Sequence, residues 1–328
     1  MDILYKYLSE KLDLDQYLKE PTLRISQLVT LNDPFEGRIN KKAIGILSEK
    51  LCKQIYPDEK WHTLSMLLAE QSIDSIINTY GVISLSETHR NLLMWAHYAS
   101  EHRGVCIGYK SNVLSSDDLI ISESEKLTPY KLVKVNYDDI IFDHEYIDAF
   151  QKFDFDQEEQ FQKMSMRALT TKSENWSYEK EHRYVVHLEL SDKIKFFKPF
   201  DSLPESIKKL VNGSVIHGTH KLYKGDKYTQ LTSTLRDVEK CGYIYNITSV
   251  ENKFINNKEA FFLKDIEKSK IASIYFGVES DPSIIEHVIH NVIANDEELK
   301  HIRVYKYKLS DERYELVPIQ LHPFKKDI

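Results

Sequence analysis

The chain has 328 residues, 41% of them hydrophobic and 29% charged, and 44 basic against 51 acidic side chains leave a formal charge of −7. That apolar content suffices for a core and excludes a disordered chain. No apolar run reaches the roughly 18 residues of a membrane span, and the acidic balance gives no overall pull toward nucleic acid, although a local basic groove stays open.

The opening MDILYKYLSEKLDLDQ lacks the basic start and apolar stretch of a secretory signal. Cys52, Cys106 and Cys241 are odd in number and far apart, which suits a reducing cytosol and neither a disulfide framework nor a zinc knuckle. A cytoplasmic protein with no membrane partner is expected.

Residues 2–8 read as a short strand, 14–20 as a helix stopped by Pro21, and TLRISQL (22–28) as a second strand. NDPFEG (32–37) is a turn, and 41–79 has helical spacing broken at Pro57. GVISLSE (81–87), THRNLLMWAHYASEH (88–102) and GVCIGYK (104–110) form a strand, helix and strand. YKLVKVNY (130–137) is a strand, 144–172 a helix, and 181–190 a strand. Turns at Pro204, Gly213, Gly218, Gly225 and Gly242 leave room for helices at 203–211 and 227–240. The chain closes with strand 270–278, helix 281–299, and antiparallel strands 302–309 and 314–321. No repeat or linker divides it. The expectation is a single α+β domain over 1–328, with a helical insertion at 41–79 and an insertion or subdomain at 191–270.

NWSYEKEHRYVVHLEL (175–190) separates at a strand's period of two. Tyr184, Val186, Leu188 and Leu190 take one face, and Glu179, Glu181, Arg183 and His187 the other. Two carboxylates on one side repel, one pKa should rise, and Arg183 would offset the repulsion. Such a row suits stabilising a developing cation. Periodicity alone favours a solvated strand face with an in-line ion pair.

LMWAHYASEH offers His97 as an acid–base group and Trp95 as a platform for a flat ligand. Composition favours a core tryptophan and a partly buried histidine, and the spacing of His97 and His102 does not suit zinc. Asp33 and Glu36 could ligate a metal, but NDPFEGR alone reads as a turn. Gly277, ahead of a helix capped by Asp281, lacks the repeated glycines of a phosphate loop.

In order, LYKYL (4–8), NDPFE (32–36), SLSE (84–87), LMWAHY (93–98), GVCIG (104–108) and WSYEKEHR (176–183) resemble the linked motifs of a bacterial family of unknown function. The resemblance covers roughly residues 1–190, with 270–300 similar too. More distantly, the layout is similar to ADP-ribosyltransferase folds, which split NAD between nicotinamide and ribose. That resemblance implies a mixed, largely antiparallel sheet with helical insertions and NAD as substrate. It implies Glu181 as the catalytic carboxylate and Glu179 as the partner that activates the acceptor. It places Tyr5, Lys6, Ser26, Trp95, His97, Tyr98 and Arg183 around the NAD. The first strand carries Lys6 where such folds have His or Arg, and the second strand lacks a Ser-Thr-Ser triplet. Where such folds occur also implies a toxin or antiphage effector, with a protein or nucleic acid as acceptor. Two other readings stay open. One is a metal-dependent hydrolase or nuclease using Asp33, Glu36, Glu87, Glu179 and Glu181. The other is a non-enzymatic ligand-binding sensor using Trp95, His97 and Tyr98.

Overall fold

Alternating burial and β-branched or aromatic residues set the strands that build one large sheet. The computed structural model describes residues 2–37, 77–114, 130–140, 165–235 and 249–323, with isolated positions at 42, 45, 46, 49, 71, 75, 239 and 240. Most of the expected insertion at 41–79 and most of the helix at 144–172 lie outside the described residues.

The strands are β1 (Ile3–Leu8), β2 (Thr22–Gln27), β3 (Tyr80–Ser86), β4 (Val105–Lys110), β5 (Leu132–Lys134), β6 (Asn136–Tyr137), β7 (Thr171–Lys172) and β8 (Glu181–His187). They continue with β9 (Lys193–Phe196), β10 (His220–Lys224), β11 (Thr229–Ser233), β12 (Phe261–Asp265), β13 (Ile271–Phe276), β14 (Arg303–Leu309) and β15 (Leu316–His322). Thirteen of them form one mixed, largely antiparallel sheet in the order β10-β11-β9-β12-β2-β3-β1-β4-β13-β14-β15, with β8 on β3 and β5 on β8. The fold is α+β. Among the described strands of this sheet, only β13 and β14 run parallel.

The sheet forks at β3. β8 pairs with all of β3, from Tyr80↔His187 to Ser86↔Glu181, and so fills one edge. β2 and β1 must share the other. β2 holds its first part at Gly81 and Val82, and β1 meets its end at Ser86. Along the stretch between, the two strands diverge and leave an opening.

In the β2-to-β10 half, Ile25, Phe262, Ile194 and Leu231 are successive cross-strand neighbours, each at most 1% exposed. Each such burial contributes roughly 1.5–3 kcal/mol. Helix α1 (Leu14–Lys19) adds the buried Leu14, Tyr17 and Leu18, and its N-cap Asp13 accepts from Gln16 N. Helix α2 (Leu92–Tyr98) is capped by Asn91, which accepts from Leu93 N and Met94 N. The helix expected over 88–102 stops at Tyr98 because Ser100, Glu101 and His102 are left-handed, with φ of 48°, 53° and 69°. Helix α3 (Glu205–Ile216) runs past the expected 203–211. The helix expected over 227–240 is corrected: Thr229–Ser233 is β11, with Thr229 and Leu231 turned inward at a strand's period. No helix among the described residues is long and apolar enough to cross a membrane.

Candidate functional site

A cavity of about 330 Å³ lies where β1 and β2 part along β3. Tyr5 and Lys6 line it from β1, Arg24 and Ser26 from β2, Ser84 and Ser86 from β3, and Tyr98 from α2. Glu36, Lys172, Glu179, Glu181 and Arg183 close it. The unpaired edge of β3 is capped by a side chain, since Lys6 Nζ donates to Ser84 O at 3.0 Å.

The charged end is a closed ring. Arg183 forks onto Glu181 at 2.7 and 2.9 Å and reaches Glu36 at 3.0 Å. Lys172 Nζ lies 3.0 Å from Glu36, 2.6 Å from Glu179 and 3.5 Å from Glu181. The remaining Arg183 nitrogen donates to Leu169 O. Tyr98 Oη donates to Glu179 Oε1 at 2.6 Å and accepts from Asn32. These carboxylates and cations are at most 5% exposed.

The two glutamates share this space through a turn rather than a flat strand. Glu179 ends a 3-10 helix, Lys180 is left-handed at φ 46°, and Glu181 opens β8. Ser86 Oγ donates to Glu179 O, Glu87 N to Lys180 O, and Glu181 N to Tyr137 Oη. The solvated-face reading of this row is therefore corrected. β8 lies between β3 and β5, so it is not a wet edge, and Glu179, Glu181 and Arg183 are at most 4% exposed.

Burial pushes the Glu181 carboxyl up, but the forked Arg183 and nearby Lys172 outweigh it and hold it at about 2. Burial raises Glu179, Glu181's charge adds to this, and Lys172 and Tyr98 pull against it. Burial disfavours the charge on Lys172, and the three carboxylates reverse that and raise its pKa. Lys6 is lowered to about 8 by burial and by Arg24, with Glu181 pulling the other way. Neither Lys6 nor Arg24 has a carboxylate ion pair among the described residues, and Arg24 Nε has no hydrogen-bond partner there. The cleft thus holds two balanced cations, two unbalanced ones and three carboxylates.

Of the residues expected at the site, Tyr5, Lys6, Ser26, Tyr98, Glu179, Glu181 and Arg183 line this one cleft. Trp95 and His97 do not, which corrects their placement around a ligand. Trp95 is fully buried, donates Nε1 to His89 O, and packs edge-on to Tyr7 and Tyr307 at 5.3 and 5.4 Å. His97 is exposed, with its ring 6.4 Å from Tyr178. His187 lies beside Glu189 and Tyr80, away from the cleft.

The carboxylates proposed for a metal divide. Glu36, Glu179 and Glu181 converge, but on Lys172 Nζ. Asp33 is buried in its turn, accepting from Phe35 N, and Glu87 pairs with Lys134 at 2.8 Å. No group of three or more His, Cys, Asp or Glu among the described residues is arranged to hold a metal ion.

The sequence reading does not single out Arg24 or Lys172, and it offers Glu36 only as a metal ligand. Arg24 had a signal, since it alternates with Ser26 on one face of β2. Glu36 had part of one in the NDPFE turn, which Gly37 closes at φ 70°. Lys172 had none, because it lies outside the strand whose parity groups the glutamates and meets Glu179, Glu181 and Glu36 only in the fold.

Residues 94–184 match the model of a family described as protein of unknown function (DUF2971). No curated protein matches the chain, and no solved structure matches it. The matched span carries Tyr98, Lys172, Glu179, Glu181 and Arg183, while the β1, β2 and Glu36 side of the cleft precedes it.

Proposed function

We propose that the cleft binds NAD and cleaves the bond between its nicotinamide and ribose, passing ADP-ribose to an acceptor or to water. One observation carries this reading: the parting of β1 from β2, which sets Tyr5, Lys6 and Ser26 against Glu179 and Glu181 in a single cavity. Lys6 and Arg24, which have no carboxylate ion pair among the described residues, suit a diphosphate. Tyr5 and Tyr98 offer the aromatic faces that Trp95 cannot, and a cavity of about 330 Å³ suits the nicotinamide and ribose end.

The chemistry follows from the two carboxylates. When C1′–N breaks, its electron pair leaves with neutral nicotinamide and the ribose gains oxocarbenium character. Glu181, held ionised by Arg183, stabilises that charge. The ribose reaches Glu181 by displacing the Lys172 side chain, so one cation replaces another among the carboxylates. The acceptor's oxygen or nitrogen then bonds to C1′ and gives its proton to Glu179, whose raised pKa suits it as base.

The test is incubation of the full chain with NAD labelled separately in the nicotinamide and in the adenosine. Released nicotinamide, with adenosine label on an acceptor or in free ADP-ribose, supports the reading. Intact NAD with neither label moved, across added protein and nucleic acid acceptors, sinks it.

A further inference from the structure

Opposite its core, the β2-β12-β9-β11-β10 half-sheet presents a face whose side chains stay half-buried or exposed. Arg24 pairs across to Leu263, Leu263 to Lys193, and Lys193 to Thr232. Two residues along on the same face, Phe261 pairs to Lys195, Lys195 to Gln230, and Gln230 to Tyr223. All of these are half-buried or exposed, whereas their neighbours Ile25, Phe262, Ile194 and Leu231 are buried.

Aromatic and basic side chains interleave across this face without a break. The Arg24 guanidinium lies 4.2 Å from the Phe261 ring, and Phe261 meets Phe197 edge-on at 4.8 Å. Lys195 Nζ lies 5.2 Å from the Phe197 ring and 3.7 Å from the Tyr228 ring, and Tyr228 is 5.1 Å from Tyr223. Phe197 is 60% exposed and Tyr223 51%, high values for large rings at the middle and far end of a sheet face. Lys195 has no carboxylate ion pair among the described residues. The row starts at Arg24 in the cleft and crosses four strand spacings, roughly 19 Å.

We propose that this face docks single-stranded nucleic acid and leads it to the cleft at Arg24 and Ser26. Exposed rings at strand spacing are platforms for unpaired bases, which present a flat face whatever their sequence. Cations set between the rings meet the phosphates. A protein partner would favour an apolar centre depleted in lysine, and a duplex would hide the base faces that the rings need. The overall charge of −7 does not oppose this where Arg24 and Lys195 meet phosphate, because neither has a carboxylate ion pair among the described residues, whereas Lys193 is held by Asp265 and Glu20. The surface stands apart from the NAD reading: binding is measured without NAD, and either can fail alone. If both hold, the strand is the acceptor.

The experiment is fluorescence anisotropy of the full chain with labelled oligo-U and oligo-dT of about 12 nucleotides, a length within the usual footprint of single-strand binders. The expected result is salt-sensitive binding of single strands over a duplex of equal length. Phe197→Ala and Tyr223→Ala each weaken it about tenfold or more, and Lys195→Ala weakens it and flattens the salt dependence. Both aromatic positions are exposed, so these variants keep the fold. The relative strength of the two oligonucleotides identifies RNA or DNA. Absence of binding, equal binding of duplex and single strand, or binding that the variants leave unchanged overturns the proposal. So does a self-associated chain that the same variants convert to monomer while no oligonucleotide binds.

Discussion

Arg183 Nη2 lies 3.0 Å from Glu36 Oε2, joining the turn at 33–36 to the strand that carries Glu181. Glu36 also holds Lys172, so one carboxylate neutralises part of two buried cations. Glu36→Gln should destabilise the protein by about 3–5 kcal/mol, because it leaves buried charge uncompensated. Urea unfolding checks this, and a loss below about 1 kcal/mol would show the ring to be solvated.

Lys180 sits at φ 46°, exposed, between the two glutamates. A β-branched side chain tolerates that conformation poorly and glycine tolerates it freely. Lys180→Val should cost about 1–3 kcal/mol and move Glu179 relative to Glu181, whereas Lys180→Gly should leave stability nearly unchanged. Equal stability of the two variants in thermal melts would contradict this.

Trp95 belongs to the core and Tyr98 to the cleft. Trp95→Phe should therefore lower stability and leave NAD affinity within about twofold, since the ring touches no ligand space. Tyr98→Ala should weaken NAD. Isothermal titration of folded variants checks the contrast, and a Trp95→Phe variant that loses NAD binding would return Trp95 to the site.

Two pH effects follow. Burial holds His89 and His187 near 4 in the folded protein, below the ordinary 6.5. Both are neutral when folded and take up protons on unfolding. Their stability contribution is intact above about 6.5 and is lost as pH falls from there through 4. Chemical denaturation between pH 7.5 and 4.5 should show that slope, and His89→Gln or His187→Gln should each remove roughly half of it. Lys6, at about 8, is charged below that pH and neutral above it. Binding of a diphosphate ligand should weaken as pH rises through 8, and Lys6→Arg should abolish that loss.

The sheet was legible because its strands alternate or carry β-branched and aromatic runs, and most expected strands lie within a residue or two of the observed ends. The region after residue 190 was harder. Thr229–Ser233 is polar enough to resemble a helix surface, and only its pairing with β9 and β10 makes it a strand. At the site, strand parity put Glu179 and Glu181 on one side, and the structure brings them together by way of the left-handed Lys180. Parity could not supply the depth of burial. That comes from β8 lying between β3 and β5, with Lys172 arriving from β7 and Glu36 from the turn at 33–36.

If Glu181 stabilises charge on a breaking ribose–nicotinamide bond, removing its carboxylate slows nicotinamide release. The direct measurement is the rate of nicotinamide release at saturating NAD, by chromatography, for the wild-type chain and for Glu181→Gln shown by circular dichroism to be folded. A measurable wild-type rate that falls about a hundredfold or more in the variant, with NAD affinity retained, is the predicted result. No release from the wild-type chain, or equal rates in both proteins, would contradict it.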